Sequence, residues 1–409
     1  MIRGKIMSNI SLNKLFYVDR EEQKKEYEKR FNSTETIKLN LKIGDNQAFF
    51  CQTAEIYKLI VSIERTDKKV NKLYSKLPLI AIKQFENRCL IDEIVLTNNI
   101  EGIHSTRKEI DEILNDLSKK NKRKRFWGLV NKYKLLVNDD TITMLDCHDI
   151  RKIYDDIFLD EIKEEDSSNL PDGEIFRKDV VNVVSETQKV IHNGLYPESK
   201  IIEYMGKALE ILNDDSIDVL IRTAIFHYLF GYIHPFYDGN GRTSRFISSY
   251  MLSHELNPLI AYRISFTIKE NLNKYYDSFK ICNHPNNMGE LTPFIEMFLQ
   301  IVDESEKQLY SALTKRVAQL NHYLKIISGK FGENDNLKNL YSLLVQASLF
   351  SDNGISLKEL KEYMKMSYNT LSKILKSIPN GWLLKYQKPN RQVFYSLNLK
   401  EFDKMIDSE

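Results

Sequence analysis

With only 9 prolines and 15 glycines in 409 residues, the chain has few points at which it can turn sharply. Long segments instead carry apolar residues at the spacing of a helix with one buried face. A mainly α protein follows, and the length predicts two or three domains. The helical pattern runs from Thr53 to Asn115, broken by Pro78, and returns over 141–158, 199–213, 244–255, 268–282 and 291–325. An apolar helix, "SIDVLIRTAIFHYLFGYI", spans 216–233 with Ser216 as its expected N-cap. Two stretches depart from this period. Residues 36–50 alternate around Gly-Asp-Asn and predict a small hairpin. Residues 170–192, "LPDGEIFRKDVVNVVSETQKVIH", open on a turn signal and predict a short β-hairpin inside a helical domain. The polar break "SGKFGENDN", 328–336, is the expected domain boundary.

Composition excludes several classes. The 59 basic and 57 acidic residues nearly cancel, so any nucleic-acid argument must be local. Cys51, Cys89, Cys147 and Cys282 form no CxxC pair. They are expected as buried thiols, not as a zinc site or disulfide framework. The N-terminus lacks the apolar run of a signal peptide, with Met7 an alternative start, and no stretch reaches the length of a membrane span. A cytoplasmic protein without membrane partners is expected. The basic run "KKNKRKR", 119–125, is read as a solvated loop or helix end.

The chemistry concentrates in "HPFYDGNGRTSR", residues 234–245. The apolar helix stops, glycines turn the chain, and a new helix is expected to begin near Arg242. Unpaired amides of Gly239, Asn240 and Gly241 at a helix N-terminus make an anion site, and glycines let a phosphate approach closely. Arg242 and Arg245, three apart on one helix face, can grip one polyphosphate. Asp238 is a hard oxygen ligand suited to Mg²⁺. His234 can act as general base towards an attacking hydroxyl. Phe236 is expected as a core anchor and His227 as a satisfied core histidine. Together these residue types point to displacement at a phosphate of a Mg-bound nucleotide.

The segment resembles the Fic family signature, HxFx-D/E-GNGRxxR, at every fixed position, and the resemblance covers roughly residues 50–300. It implies a helical Fic bundle that transfers AMP from ATP to a Ser, Thr or Tyr hydroxyl of a target protein. His234 would deprotonate the hydroxyl and Asp238 would hold Mg²⁺. Asn240 and the Gly239 and Gly241 amides would hold the α- and β-phosphates, Arg242 the same pair, and Arg245 the γ-phosphate. It also accounts for the odd hairpin, a flap over the site that pairs with the target backbone, here Val180, Val181, Asn182, Val183 and Val184. The target is unknown; self-modification and a homodimer are further expectations.

The stretch "TNNIEG", 97–102, fits the family's inhibitory motif S/T-xxx-E-G/N. By that resemblance Glu101 would pair with Arg245, Thr97 would support the glutamate by a hydrogen bond, and Gly102 would close the motif. The same glutamate could position a water that removes AMP from a target. The organisation expected is an N-terminal helical region (1–120, inhibitory helix about 90–104), a Fic core (121–327) and a winged helix–turn–helix (337–409).

The C-terminal reading rests on "GISLKELKEYM", with a capping box of Ser356 and Glu359, then "MSYNTLSKILKSI", then two apolar strands around Lys-Pro-Asn-Arg. Lys373, Lys376, Lys388 and Arg391 are candidate DNA contacts. Three readings therefore stand: an autoinhibited adenylyltransferase or its reverse, a DNA-binding regulator with Fic self-modification as its switch, and transfer of UMP, phosphocholine or phosphate.

Overall fold

The computed structural model describes residues 10–116, 124–136, 141–184, 190–388 and 392–406. Most of the basic run and Arg391 lie outside the described residues. The chain divides into two compact units along other lines than the expected segments: 1–67 with 91–307, and 68–90 with 308–409.

The first unit opens with α1 (Leu12–Val18) and α2 (Arg20–Phe31), then the hairpin β1 (Thr36–Ile43) and β2 (Asn46–Cys51), paired antiparallel. Helices α3 (Ala54–Tyr74) and α4 (Leu79–Ile100) flank Pro78 as expected, and α5 (Arg107–Asp116) follows. Next come α6 (Trp127–Leu135) and α7 (Cys147–Glu165), which is started by a capping box at Asp146 and runs a turn or more past its predicted end. The second hairpin, β3 (Asn182–Val184) with β4 (Val190–Asn193), lies where the flap is expected. Val180 and Val181 precede its strands, and 185–189 fall outside the described residues.

At the centre stand α8 (Glu198–Leu212), α9 (Val219–Ile233) and α10 (Asn240–Glu255). Helix α9 is buried on nearly every side, which is why its sequence is apolar all round. Its N-cap is Asp218, whose Oδ1 accepts from the Leu220 amide at 2.9 Å. Ser216 is not the cap: its own amide is taken by Asp214 in the preceding turn. The unit continues through α11 (Ile264–Glu270) and α12 (Leu272–Asn283) into α13 (Thr292–Phe331).

The second unit takes in residues 68–90, from the end of α3 and the start of α4, and α13 from residue 308 on, then α14 (Asp335–Phe350), β5 (Ile355–Ser356), α15 (Leu357–Met364), α16 (Tyr368–Lys376), β6 (Leu383–Gln387), β7 (Val393–Leu397) and α17 (Leu399–Ile406). The strands form one antiparallel sheet in the order β5-β7-β6. The Ser356–Glu359 capping box is present. The predicted break at 328–336 is shorter than expected, since α13 runs to Phe331 and α14 resumes at Asp335. None of the four cysteines is in a disulfide, and three of them are buried. Among the described residues no helix is long and apolar enough to cross a membrane.

Candidate active site

The loop from His234 to Gly239 joins α9 to α10. Helix α10 begins at Asn240, not near Arg242, with Gly239 as a left-handed cap at φ +79°. Gly239 O accepts from the Thr243 amide, so the amides of Asn240, Gly241 and Arg242 are those the helix leaves without an internal partner. The Asn240 side chain is not available to a ligand: its Oδ1 accepts from Phe236 N at 3.0 Å and its Nδ2 donates to Phe236 O at 2.8 Å. It staples the loop from within. Phe236, fully buried, stacks on Tyr154 with centroids 3.6 Å apart, the anchor its position suggested.

Both signature arginines are buried. Arg242 Nη1 donates to Glu161 Oε1 at 2.6 Å, and the guanidinium lies over the Phe158 ring at 4.4 Å. Its Nε and Nη2 have no hydrogen-bond partner, with Asp238 Oδ2 3.5 Å from Nη2. Buried donors of this kind are costly unless something fills them. Arg245 is engaged through Nε and Nη2. Its Nε donates to Thr97 Oγ1 at 2.7 Å, and its Nη2 to Thr97 O at 3.0 Å and to Glu101 Oε1 at 2.7 Å. Thr97 thus holds the arginine, not the glutamate as expected, because α4 points its buried hydroxyl at Nε. The pair with Glu101 runs through one carboxylate oxygen to one nitrogen.

Glu101 lies just past α4, not within a helix reaching 104. Gly102 donates to Asn99 O and Ile103 to Asn98 O, with Gly102 at φ +73°. This is a Schellman stop, and its left-handed position needs glycine, or asparagine at small cost. The turn aims the Glu101 carboxylate at the N-terminus of α10, against the face of Gly241. A side chain at Gly241 would collide with Glu101 Oε1.

His234 caps α9 in the left-handed region, at φ +53°. Burial, then the charge of Arg177, push its imidazole down to about 3, so the ring is neutral at physiological pH. His227 is the satisfied core histidine expected: its nitrogens meet Ser248 Oγ at 2.8 Å and Tyr275 Oη at 2.7 Å, and burial pushes it down to about 3.

Residues 144–252, which contain this whole loop, match the Fic/DOC family model. This stretch of the chain is similar to the Fic/DOC family. Similar proteins include protein adenylyltransferase fic-1 of Caenorhabditis elegans, 27% identical over 180 residues, 43% of this chain and 33% of that one. Protein adenylyltransferase Fic of Drosophila yakuba is 37% identical over 86 residues, 21% of this chain and 15% of that one. The chain thus spans a third or less of the length of these curated relatives. Among solved structures, a Fic family protein from Desulfovibrio desulfuricans is similar with a TM-score of 0.46 and 18% identity, covering 85% of this chain and 96% of that one.

Beside the Fic signature stand residues that sequence reading passed over. Arg177, in "EIFRKD", is fully buried and donates to His234 O at 2.9 Å and Leu195 O at 2.8 Å, and also to Asp179 O. Glu161, in the acidic stretch "DEIKEE", is the buried partner of Arg242 and not a solvated helix carboxylate. Of the C-terminal lysines, Lys373 and Lys376 are exposed on α16. Lys388 is buried, with its ammonium over the Phe394 ring at 4.7 Å, so it is withdrawn from the surface contact expected of it.

Proposed function

We propose that this chain is a self-restrained protein adenylyltransferase, moving AMP from ATP to a hydroxyl side chain of a target protein, itself included. The observation that carries the reading is Glu101 Oε1 on Arg245 Nη2 at 2.7 Å, over Gly241 in the first turn of α10. A carboxylate there occupies the cradle a phosphate would need. The free amides of Asn240, Gly241 and Arg242 and the unused donors of Arg242 supply the remaining phosphate contacts. Neutral His234 takes the proton of the attacking hydroxyl as the new oxygen–phosphorus bond forms at the α-phosphorus. The bond to the bridging oxygen breaks, and pyrophosphate leaves.

Mg²⁺ fits this reading through Asp238, whose side chain is 42% exposed beside the Arg242 guanidinium. Among the described residues no three His, Cys, Asp or Glu side chains gather into a metal cage. One carboxylate is what Mg²⁺ asks for when phosphates and water complete its shell. When bound, the ion would neutralise phosphate charge.

The test is transfer of α-labelled ATP to protein, with Mg²⁺, by the parent, Glu101→Gly and Glu101→Gly/His234→Ala. Label that rises with the first substitution and vanishes with the second supports the reading. If all three stay unlabelled in the presence of cell lysate, it fails. Run on modified protein, the same set reads AMP removal.

A second activity is proposed for the C-terminal unit, read as a winged helix that binds duplex DNA. Its α16 exposes Asn369, Thr370, Lys373 and Lys376, and β6 exposes Lys385. No acidic residue lies between Lys365 and Lys388. Binding of a labelled duplex by the full chain should weaken with salt, and Lys373→Ala/Lys376→Ala should lower the salt slope by about 2. Absence of binding at low salt rejects this part alone.

A further inference from the structure

A buried arginine ordinarily finds a carboxylate. Arg177 finds only carbonyls among the described residues, and they belong to three separate segments. Asp179 O lies on the chain entering the β3–β4 hairpin, and Leu195 O on the chain leaving it. The third, His234 O, is the carbonyl of the left-handed residue that caps α9. The backbone fits around this side chain. Arg177 N donates to Pro235 O, and Leu195 N to Ile233 O. Gly194 is bare where a methyl group would strike Arg177 Nη2 and approach His234 Cβ at 3.1 Å.

We propose that Arg177 is a positioning residue that fastens the His234 base to both stems of the β3–β4 hairpin. A polypeptide paired with the hairpin is thereby held in fixed register with the base. The proposal rests on the transferase reading for its effect on catalysis. Its geometry is independent of that reading, because Arg177 donates to none of the anion-binding groups. One guanidinium sets the carbonyl of the base, and hence its ring, and the approach of whatever pairs with β3 or β4. It also places a fixed positive charge beside the imidazole, with His192 of β4 on the same side of the balance and Asp238 opposing both. The ring is then a neutral acceptor throughout the physiological range.

The test uses the full chain carrying Glu101→Gly, with Arg177 intact, as Arg177→Lys, as Arg177→Met, and with Gly194→Ala. The pH dependence of AMP transfer, ATP affinity and the His234 imidazole titration by NMR are measured for each. Arg177→Met should lower kcat on the order of a hundredfold, by misorientation, and leave ATP affinity within about twofold. Its acid limb, and the NMR titration, should move up by about one pH unit towards the ordinary histidine value. Arg177→Lys should restore the titration but little of kcat, since one ammonium cannot span three carbonyls. Gly194→Ala should shift both readouts in the direction of Arg177→Met, and serves if that variant does not fold. An unmoved titration with kcat within about threefold in Arg177→Met and Gly194→Ala overturns the proposal. If the Glu101→Gly parent transfers nothing, the transferase reading fails, and the NMR titration alone then decides whether Arg177 governs the ring.

Discussion

Two buried arginines hold the two sides of the loop, and they are held in different ways. Arg177 donates to neutral backbone carbonyls on three segments, acceptors that neither titrate nor swing away. Arg245 donates to the hydroxyl and carbonyl of Thr97, and beyond these to the carboxylate of Glu101, whose side chain stays 31% exposed on a turn. Burial opposes the Arg245 charge most strongly, and Glu101, Tyr275 and Tyr276 together more than offset it. The first is a fixed fastening, the second a releasable one. The difference teaches where the site can be switched: on the side where a buried charge is balanced by a group that water can reach.

The sharpest way to break this contrast is to remove the releasable partner. Glu101→Gly should raise labelling from α-labelled ATP on the order of a hundredfold, and Glu101→Gln by less, since it keeps the shape and loses the charge. Equal rates for both and the parent would mean that the pair restrains nothing.

A smaller effect tests whether an unpartnered buried charge is costly in this domain. Glu306 is buried with no hydrogen-bond partner for either oxygen, and burial, then Asp67 and Asp303, push it up to about 8. Its folded value stands above its ordinary 4.5, so between these limits the folded state holds a proton the unfolded chain has lost. Stability is therefore full below the lower limit and declines as pH rises through the window. Glu306→Gln should gain stability at pH 8, by the few kcal/mol that the window between the two limits carries, and almost nothing near pH 4, read from urea unfolding. A gain independent of pH would contradict this assignment.

Thr97→Ala should follow, costing about 1–2 kcal/mol of stability as a buried Arg245 donor is orphaned. Labelling should rise less than tenfold; a rise matching Glu101→Gly would mean that Thr97 acts on the glutamate after all. The smallest effect is expected of Gly102→Ala, about 1 kcal/mol from the left-handed backbone, with Gly102→Asn milder. Thermal unfolding of the two beside the parent checks that order.

The parts of the fold legible in sequence are those governed by local rules. The all-apolar α9, the break at Pro78, both hairpins and the Ser356–Glu359 box follow from period, turn chemistry and capping within a few residues. The loop itself was legible because several residue types with one chemistry stand together. What escaped depends on distant partners. "FRKD" reads as a charged turn until Leu195 O and His234 O close around Arg177. Glu161 reads as one acid among several until α7 turns it towards Arg242. Thr97 meets Arg245 and not Glu101, because spacing along one helix cannot say which of two nearby groups its hydroxyl faces. Asn240 reads as a phosphate contact in sequence, since nothing in the order of residues reveals that both its polar atoms are used on Phe236.

Gly241 leaves a space that Glu101 fills from the same chain. A tethered occupant competes at an effective concentration in the millimolar range or above, set by its leash and not by the solution. A free anion must therefore exceed it in affinity and not only in concentration. What can dislodge it is anything that lengthens or redirects the leash, and here the leash is one turn, pinned at Thr97 on one side and stopped at Gly102 on the other. On the proposed reading, control of this site is therefore mechanical before it is chemical.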